Sequence, residues 1–376
     1  MRARDLGIRI GRLEPGEHNA ITDVAGVRVG HATLVRGFGP LRVGEGPVRT
    51  GVTVIVPHDG DVWTEPIFAG AHRLNGNGEL TGLEWIREHG MLGGVIGLTN
   101  THSVGVVRDA LIEAAARAHE LRDDIWALPV VGETYDGVLN DINGFHVRPE
   151  HVREALDDAR AGPVAEGSVG GGTGMICHEL KGGIGTASRR VPGGWTVGIL
   201  VQANYGRRDL LRIDGVPVGQ AIPTGDVPSP WDQLEALNAR ATPEGGSIIG
   251  IVATDAPLLP HQCARLAQRM GMGVARMGSY AAHGSGDLFL AFATGNRDLS
   301  RRAGEDDPRP TVELRMVVDE HINPLLEAVV EATEEAIANA MLGSGTMAGR
   351  DGLTAHGLDP ERVGAIMRAH GRLAAS

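Results

Sequence analysis

The sequence predicts a layered α+β fold with a buried aliphatic core. Short β-branched segments and longer amphipathic helical segments mix along the 376 residues, without strict βαβα alternation and without an internal repeat. Hydrophobic residues make up 42% of the chain and aromatic residues only 3%, so aliphatic side chains and alanine must fill the core. The 56 glycines follow no Gly-X-Y period, which indicates turns and close backbone contacts.

The predicted elements can be placed in chain order from their periodicity and their flanking residues. Apolar runs bounded by glycine, proline or asparagine predict strands over 50–57, 95–99, 125–131, 196–202, 248–253 and 288–293. Helical spacing predicts a short helix after Thr81 and longer ones over 104–120, 148–160, 257–271, 323–341 and 360–370. Residues 219–246 are rich in Pro, Asp and Gly and predict an exposed linker.

Composition excludes several classes of function. A net charge of −12 and a pI near 5.7 argue against nucleic acid as a partner. We expect no membrane segment and no signal peptide, because no apolar run is long enough, and we therefore expect a cytoplasmic protein. Cys177 and Cys263 are too few for a disulfide framework, and the 15 histidines show no metal-binding spacing. We expect neither a metal nor another cofactor.

One stretch predicts a specific chemistry. Gly245 and Gly246 run into Ser247, which opens the apolar strand 248–253. The glycines allow backbone shapes closed to other residues, so an unhindered carbonyl can lie beside a fixed hydroxyl. If the Gly246–Ser247 bond were cut, Ser247 would carry both a nucleophile and an α-amine with a reference pKa of about 7.7–8.0. Taken alone, Gly-Gly-Ser is more typical of a surface turn.

Other polar residues stand near predicted strand ends. Glu133, Tyr135 and Asp136 follow one strand, Asn204 follows another, and Ser285 and Asp287 precede a third. Each is also compatible with an ordinary polar turn. The glycine-rich loop 167–174 could cradle an anion through its backbone amides, but it lacks the Gly-Lys-Ser/Thr ending of a P-loop.

From Gly246 to Leu258 the sequence resembles the DmpA-type aminopeptidases. This family comprises the L-aminopeptidase/D-esterases and the β-peptidyl aminopeptidases, also called P1 peptidases. The resemblance covers nearly the whole chain, and its further blocks come in the same order: Asn19–Val27, Arg49–Val54, Asn75–Glu79, Leu98–Val104, Lys181–Thr186, Asn339–Met341 and Thr346–Gly352.

The resemblance implies a fold, a maturation step and an assembly. The fold is a four-layer α-β-β-α sandwich, similar to that of ornithine acetyltransferase, with an N-terminal-nucleophile type of site. The single domain 1–376 would cleave itself into an α chain, 1–246, and a β chain, 247–376. The αβ units would form homo-oligomers, usually tetramers.

The resemblance also implies roles for individual residues. Ser247 would be the nucleophile, losing its proton to its own amine directly or through Ser285. Asp287 would orient Ser285, and the Asn204 amide would stabilise the oxyanion. Glu133 and Tyr135 would hold the amino end of a small peptide, amino-acid amide or ester.

Two other functions stay open at this point. The same site could serve an amidase or acyltransferase acting on a non-peptide amide such as a pantetheine-type substrate. Alternatively, the chain could be a non-catalytic protein that binds an anionic ligand with its glycine-rich loops.

Overall fold

The computed structural model of the protein describes residues 1–237, 246–299, 309 and 311–374. The helices in these ranges are α1 Leu83–His89, α2 Val104–Ala118, α3 Pro149–Asp158, α4 Pro230–Ala236, α5 Pro260–Arg276, α6 Asn323–Leu342 and α7 Pro360–Ala369. The strands are β1 Arg28–Arg36, β2 Val48–Val56, β3 Ile67–Gly76, β4 Met91–Leu92, β5 Ile96–Asn100, β6 Val130–Thr134, β7 Ile176–Cys177, β8 Leu180–Lys181, β9 Gly183–Val191, β10 Trp195–Asn204, β11 Gly246–Thr254, β12 Ser285–Ala293, β13 Met347–Ala348 and β14 Thr354–Ala355.

Two stacked sheets form the centre of the molecule. The smaller sheet has the order β1-β2-β5-β6 and the larger has the order β4-β3-β12-β11-β10-β9. Aliphatic side chains from both sheets pack between them. Helices α2 and α3 cover the outer face of the smaller sheet, and α5 and α6 cover that of the larger one. The predicted α-β-β-α sandwich is confirmed.

Strand β11 is a central strand of the larger sheet, and its position determines where Ser247 points. It pairs antiparallel with β10 and parallel with β12, so both of its edges are hydrogen-bonded. The smaller sheet covers one face of β11 and helices α5 and α6 cover the other, so both faces are apolar. Ile249 and Ile251 pack between the sheets, whereas Ile248 and Val252 pack under α5 and α6. Because side chains alternate along a strand, Ser247 faces the smaller sheet.

Several predicted boundaries were wrong. Strand β6 begins at Val130 rather than 125, because it pairs with β5 from Ile96↔Val130 onward, so Glu133 lies within the strand. Strand β12 already begins at Ser285, since its parallel pairing with β11 starts at Gly246↔Ser285.

The predicted linker was also wrong where the structure describes it. Residues 230–236 form helix α4, and Leu234 packs against Leu139, Ile176 and Leu353. Ile222 and Ser229 are buried as well. Tertiary contacts supply the burial that local periodicity did not indicate. Residues 243–245, which open the Gly-Ser stretch, lie outside the described residues.

The glycine-rich loop is a packing element. A Cβ at Gly171 would lie 2.2 Å from the Gln202 side chain and 2.7 Å from the Leu98 carbonyl oxygen, so the loop fits between the sheets only as glycine. The Gly170 and Gly171 amides donate to threonine hydroxyls at 2.9 and 3.1 Å. These donors are already used inside the protein, which removes the basis for the anion-binding alternative. Within the described ranges, no helix is long and apolar enough to cross a bilayer.

Candidate active site

Five of the predicted site residues line one cavity at the ends of β6, β10 and β11. The cavity has a volume of about 510 Å³, which suits a small substrate. These five residues are Glu133, Tyr135, Asn204, Gly246 and Ser247. The lining also includes Asn77, Gly78, Glu79, Thr101, Gly137, Val138, Ile176, Trp231, Leu234, Gly284 and Arg350.

Ser247 is the second residue of β11, and its hydroxyl contacts the preceding peptide group. The residue is 5% exposed, and its Oγ donates to the Gly246 carbonyl oxygen at 2.6 Å. Across the sheet it pairs directly with Asn204. A hydroxyl is therefore held beside the bond that the sequence singled out, on the cavity side of the sheet.

The Asn204 amide is held in one orientation by two backbone groups. Its Oδ1 accepts from the Ile176 amide at 2.8 Å, and its Nδ2 donates to the Tyr135 carbonyl at 3.1 Å. An amide nitrogen carries two N–H groups, so one remains for an acceptor in the cavity. Because Asn204 pairs with Ser247, this donor suits an oxyanion formed when the Ser247 hydroxyl attacks a carbonyl.

Glu133 supplies a buried carboxylate to one end of the cavity. It is 3% exposed and accepts hydrogen bonds from the Glu79 amide, at 2.9 Å, and from the Thr101 hydroxyl. Burial raises the pKa of Glu133, and these two donors oppose that rise. The remaining lone pairs can accept from a ligand ammonium, which would also favour the ionised carboxylate.

Ser285 and Asp287 form a hydrogen-bonded pair beside the Gly246–Ser247 bond. The Ser285 Oγ donates to Asp287 Oδ1 at 2.7 Å. Burial raises the pKa of Asp287, and the Ser285 hydroxyl opposes the rise. Their faces follow from the register: Gly246 pairs with Ser285, so the pair lies on the α5–α6 side of the sheet, opposite the Ser247 side chain.

This placement distinguishes the two predicted routes for the Ser247 hydroxyl proton, which would pass to the Ser247 amine either directly or through Ser285. Among the described residues, no hydrogen bond joins Ser247 to Ser285. Ser285 instead borders a second, small cavity that Gly246 and Tyr205 also line. The geometry therefore favours contact between Ser285 and the Ser247 backbone nitrogen over contact with the Ser247 hydroxyl.

Tyr135 is a further residue of the main cavity lining. It is 47% exposed, and a Cβ at Gly137 would lie 2.4 Å from the Tyr135 hydroxyl. The Arg350 guanidinium lies nearby, since its Nε donates to the Gly137 carbonyl at 2.8 Å. Its part in holding the amino end of a substrate stays a prediction.

Sequence reasoning missed the residues that support these groups. Glu79, Thr101 and Arg350 all fall in blocks that carried the family resemblance, which was a usable signal. Trp231 and Leu234 reach the cavity from α4, which the sequence predicted as linker, and no local signal marked them. Within the described ranges, no cluster of three or more His, Cys, Asp or Glu residues could hold a metal ion.

Comparisons with known proteins show which family the chain is similar to. Residues 19–355 match the model of Peptidase family S58. The chain is 46% identical to the β-peptidyl aminopeptidase BapA of Sphingosinicella microcystinivorans, covering 100% of this chain and 94% of that protein. It is 43% identical to the enzyme of the same name from Sphingosinicella xenopeptidilytica, covering 98% and 91%.

Solved structures give the same result. A β-aminopeptidase from a Burkholderia species superposes with a TM-score of 0.90 at 53% identity, over 99% of both chains. The L-aminopeptidase D-Ala-esterase/amidase from Ochrobactrum anthropi, a serine aminopeptidase with a variant of the Ntn hydrolase fold, superposes with a TM-score of 0.89 at 44% identity, over 99% of both chains. The chain is a hydrolase with an N-terminal-nucleophile fold, and it belongs to peptidase family S58.

Proposed function

We propose that the chain cleaves itself between Gly246 and Ser247, and that the freed Ser247 is then the nucleophile of an aminopeptidase. The observation that carries this proposal is the convergence of three groups on one cavity: the Ser247 hydroxyl, the Asn204 amide and the Glu133 carboxylate. A nucleophile, an oxyanion donor and an ammonium acceptor are what removal of an N-terminal residue requires.

Self-cleavage begins with attack of the Ser247 Oγ on the Gly246 carbonyl carbon. The Gly246–Ser247 C–N bond breaks, the hydroxyl proton passes to the leaving amine, and an ester joins the Gly246 acyl group to Ser247 Oγ. Water then hydrolyses the ester to give a Gly246 carboxylate and a free Ser247. The contact of 2.6 Å between the hydroxyl and the Gly246 carbonyl oxygen supports this first step.

Substrate hydrolysis uses the same hydroxyl. With the substrate ammonium on Glu133, Ser247 Oγ attacks the carbonyl of the N-terminal residue while its proton passes to the Ser247 amine. The Asn204 N–H stabilises the oxyanion, and the protonated amine then protonates the leaving group. Water hydrolyses the resulting acyl-enzyme and restores the hydroxyl.

The Ser285–Asp287 pair acts on the amine. A carboxylate close to an amine favours the charged ammonium, which cannot serve as a base. Burial raises the pKa of Asp287, which weakens this effect. Asp287 accepts a hydrogen bond from the Ser285 hydroxyl, and Ser285 pairs with Gly246, so Asp287 can orient the amine through Ser285.

Intact-mass spectrometry tests the maturation step. The wild-type protein should give two chains, and Ser247→Ala should give one. Ser279→Ala is a matched control: Ser279 lines the neighbouring small cavity, and the variant should mature normally. An uncut wild-type chain with full aminopeptidase activity would overturn the proposed role of Ser247.

A substrate panel tests the activity. We extend the activity named for the BapA relatives to this chain and propose that it accepts N-terminal β-amino residues. Aminoacyl-p-nitroanilides with α- or β-amino residues should be hydrolysed. If only pantetheine-type amides without a free amine were hydrolysed, the amidase or acyltransferase alternative would replace the aminopeptidase.

We also propose that the αβ units assemble into a homo-oligomer, a tetramer by family resemblance, in the cytoplasm. A row of alternate apolar residues is 37–48% exposed along the extended segment 311–318, which supports an interface there. The residues are Val312, Leu314, Met316 and Val318. Light scattering gives the oligomeric state, and Leu314→Glu combined with Met316→Glu should lower it. Cell fractionation tests the location.

A further inference from the structure

Side chains of opposite charge line the main cavity. The Glu79 amide holds the Glu133 carboxylate there, and Arg350 lies beside Gly137. Arg350 is the cationic side chain among the described residues that line the cavity. Ser247 and Asn204, which pair across the sheet, belong to the same lining.

The Arg350 guanidinium is held in place and still has donors available. Its Nε donates to the Gly137 carbonyl at 2.8 Å, and its Nη1 donates to Asp351 Oδ2 at 3.0 Å. Its backbone amide donates to the Leu139 carbonyl at 2.9 Å, which fixes the main chain as well. To the described residues Nη2 makes no hydrogen bond, and the side chain keeps 20% exposure.

The adjacent Asp351 does not fully neutralise this cation. Asp351 shares its charge with a second donor, since its Oδ1 accepts from the Leu41 amide at 2.8 Å. The Asp351 side chain is not part of the cavity lining, whereas Arg350 is. A guanidinium offers five N–H donors in a planar fork, and two of its nitrogens are engaged here. The free edge suits a carboxylate.

We propose that Arg350 binds the terminal carboxylate of the leaving group, so that short peptides with both termini free are the preferred substrates. This inference rests on the proposed aminopeptidase function. With the ammonium on Glu133 and the scissile carbonyl at Ser247, the residue after the cleaved bond is left to the remaining described lining, where Arg350 is the cationic side chain.

The apolar wall beside Arg350 supports the same assignment. Val138, Trp231, Leu234 and Ile176 line the same cavity and belong to one apolar cluster with Leu139, whose carbonyl accepts from the Arg350 amide. They can cover the side chain of the second residue and exclude water from the ion pair, which strengthens a charge-assisted hydrogen bond. Arg350 is thus a specificity-determining residue, and it takes no part in bond making.

The test compares matched substrates that differ only in the terminal carboxylate. A dipeptide and its C-terminal amide are assayed with the matured wild-type enzyme, together with an aminoacyl amide that has no second residue. A charge-assisted hydrogen bond to carboxylate predicts a kcat/KM for the dipeptide about 10- to 100-fold above that for its amide. In Arg350→Gln this ratio should fall to about 1, and hydrolysis of the aminoacyl amide should change less than about twofold.

Arg362→Gln is a matched control. Arg362 also donates to one carbonyl and one carboxylate, at 2.7 and 2.6 Å, but it lies outside the cavity lining. This variant should keep the wild-type ratio. Arg350→Lys keeps the positive charge but loses the planar set of guanidinium donors. Its ratio of kcat/KM for the dipeptide to that for the amide should therefore lie between those of wild type and Arg350→Gln. Thermal unfolding and intact mass show whether each variant folds and matures.

The outcomes separate this inference from the proposed function. Equal kcat/KM for the dipeptide and its amide in an active wild-type enzyme would overturn the inference alone. So would an equal loss toward all three substrates in a folded, matured Arg350→Gln variant. Absence of hydrolysis of every aminoacyl substrate by the matured wild-type protein would overturn the proposed function itself.

Discussion

Lys181 offers a sharp test of how the oxyanion amide is positioned. It is the one lysine among 35 Lys and Arg residues, and its side chain is fully buried. Its Nζ donates to the carbonyls of Gly182, Met175 and Gly172 at 2.7, 2.9 and 3.4 Å. The residue after Met175 is Ile176, whose amide holds Asn204 Oδ1. We expect Lys181→Met to loosen this chain of contacts and misplace the Asn204 amide.

The structure limits both the loss of stability and the loss of catalytic rate that Lys181→Met can cause. Stability should change by no more than about 2 kcal/mol, because the two closest carbonyls keep other donors. The Gly182 amide donates to the Met175 carbonyl at 2.9 Å, and the Ser344 hydroxyl donates to the Gly182 carbonyl at 2.8 Å. The catalytic loss cannot exceed that of removing the amide itself, about 2.7–4 kcal/mol. A partial misplacement predicts a kcat about 10- to 100-fold lower.

A double-mutant cycle is the assay. kcat and KM are measured for wild type, Lys181→Met, Asn204→Ala and the double variant, after confirming maturation by intact mass. If Lys181 acts through Asn204, Lys181→Met should have almost no further effect in the Asn204→Ala background. Additive losses, or a change in KM with kcat preserved, would refute the reasoning.

Three further predictions follow from burial and packing. Glu133→Gln should raise KM for aminoacyl substrates about 10- to 100-fold. Burial raises the pKa of Glu133 above 4.5, and the variant should lose this ionisation from the acid side of the kcat/KM profile while keeping that of the Ser247 amine. Burial raises the pKa of Asp136 from 3.8 to about 7, so its contribution to stability is present below pH 4 and is lost as pH rises to 7. In denaturant titrations Asp136→Asn should therefore gain stability relative to wild type over that range, by up to about 4 kcal/mol; a constant difference would contradict this. Gly171→Ala should cost about 1–3 kcal/mol because its Cβ would meet the Gln202 side chain at 2.2 Å. Gly105→Ala, which meets nothing within 4 Å, should leave the melting temperature unchanged or slightly raised.

Ser247, the proposed nucleophile, was the site residue most accessible to sequence reasoning. Two local signals coincided there: a glycine before the serine and a buried β-branched run after it. The first permits an unhindered carbonyl, and the second predicts a core strand, which is β11 Gly246–Thr254. Periodicity and composition could detect these two properties, but Gly-Gly-Ser by itself is more typical of a turn. The roles predicted for Ser247, Asn204, Ser285, Asp287 and Glu133 therefore needed the family resemblance, because each is locally an ordinary polar residue.

Helix α4 shows why other parts could not be predicted. Its sequence, Pro230–Ala236, is short and has weak apolar periodicity, so isolated it would not be a stable helix. It forms because Leu234 is covered by Leu139 and Leu353, which are about 100 residues away on either side of it in the chain. The local pattern therefore could not indicate that Trp231 and Leu234 of this helix line the cavity.

By itself the sequence determined the layered α+β class and the aliphatic core, and it placed Ser247 before a core strand, because these features depend on the order and polarity of adjacent residues. Only the tertiary structure decided which sheet face each site residue occupies. A single-residue difference in strand register puts Ser247 on the cavity side and Ser285 on the helix side. Likewise, the opposed charges of Glu133 and Arg350 meet in one cavity only because strands and loops far apart in the chain pack together there.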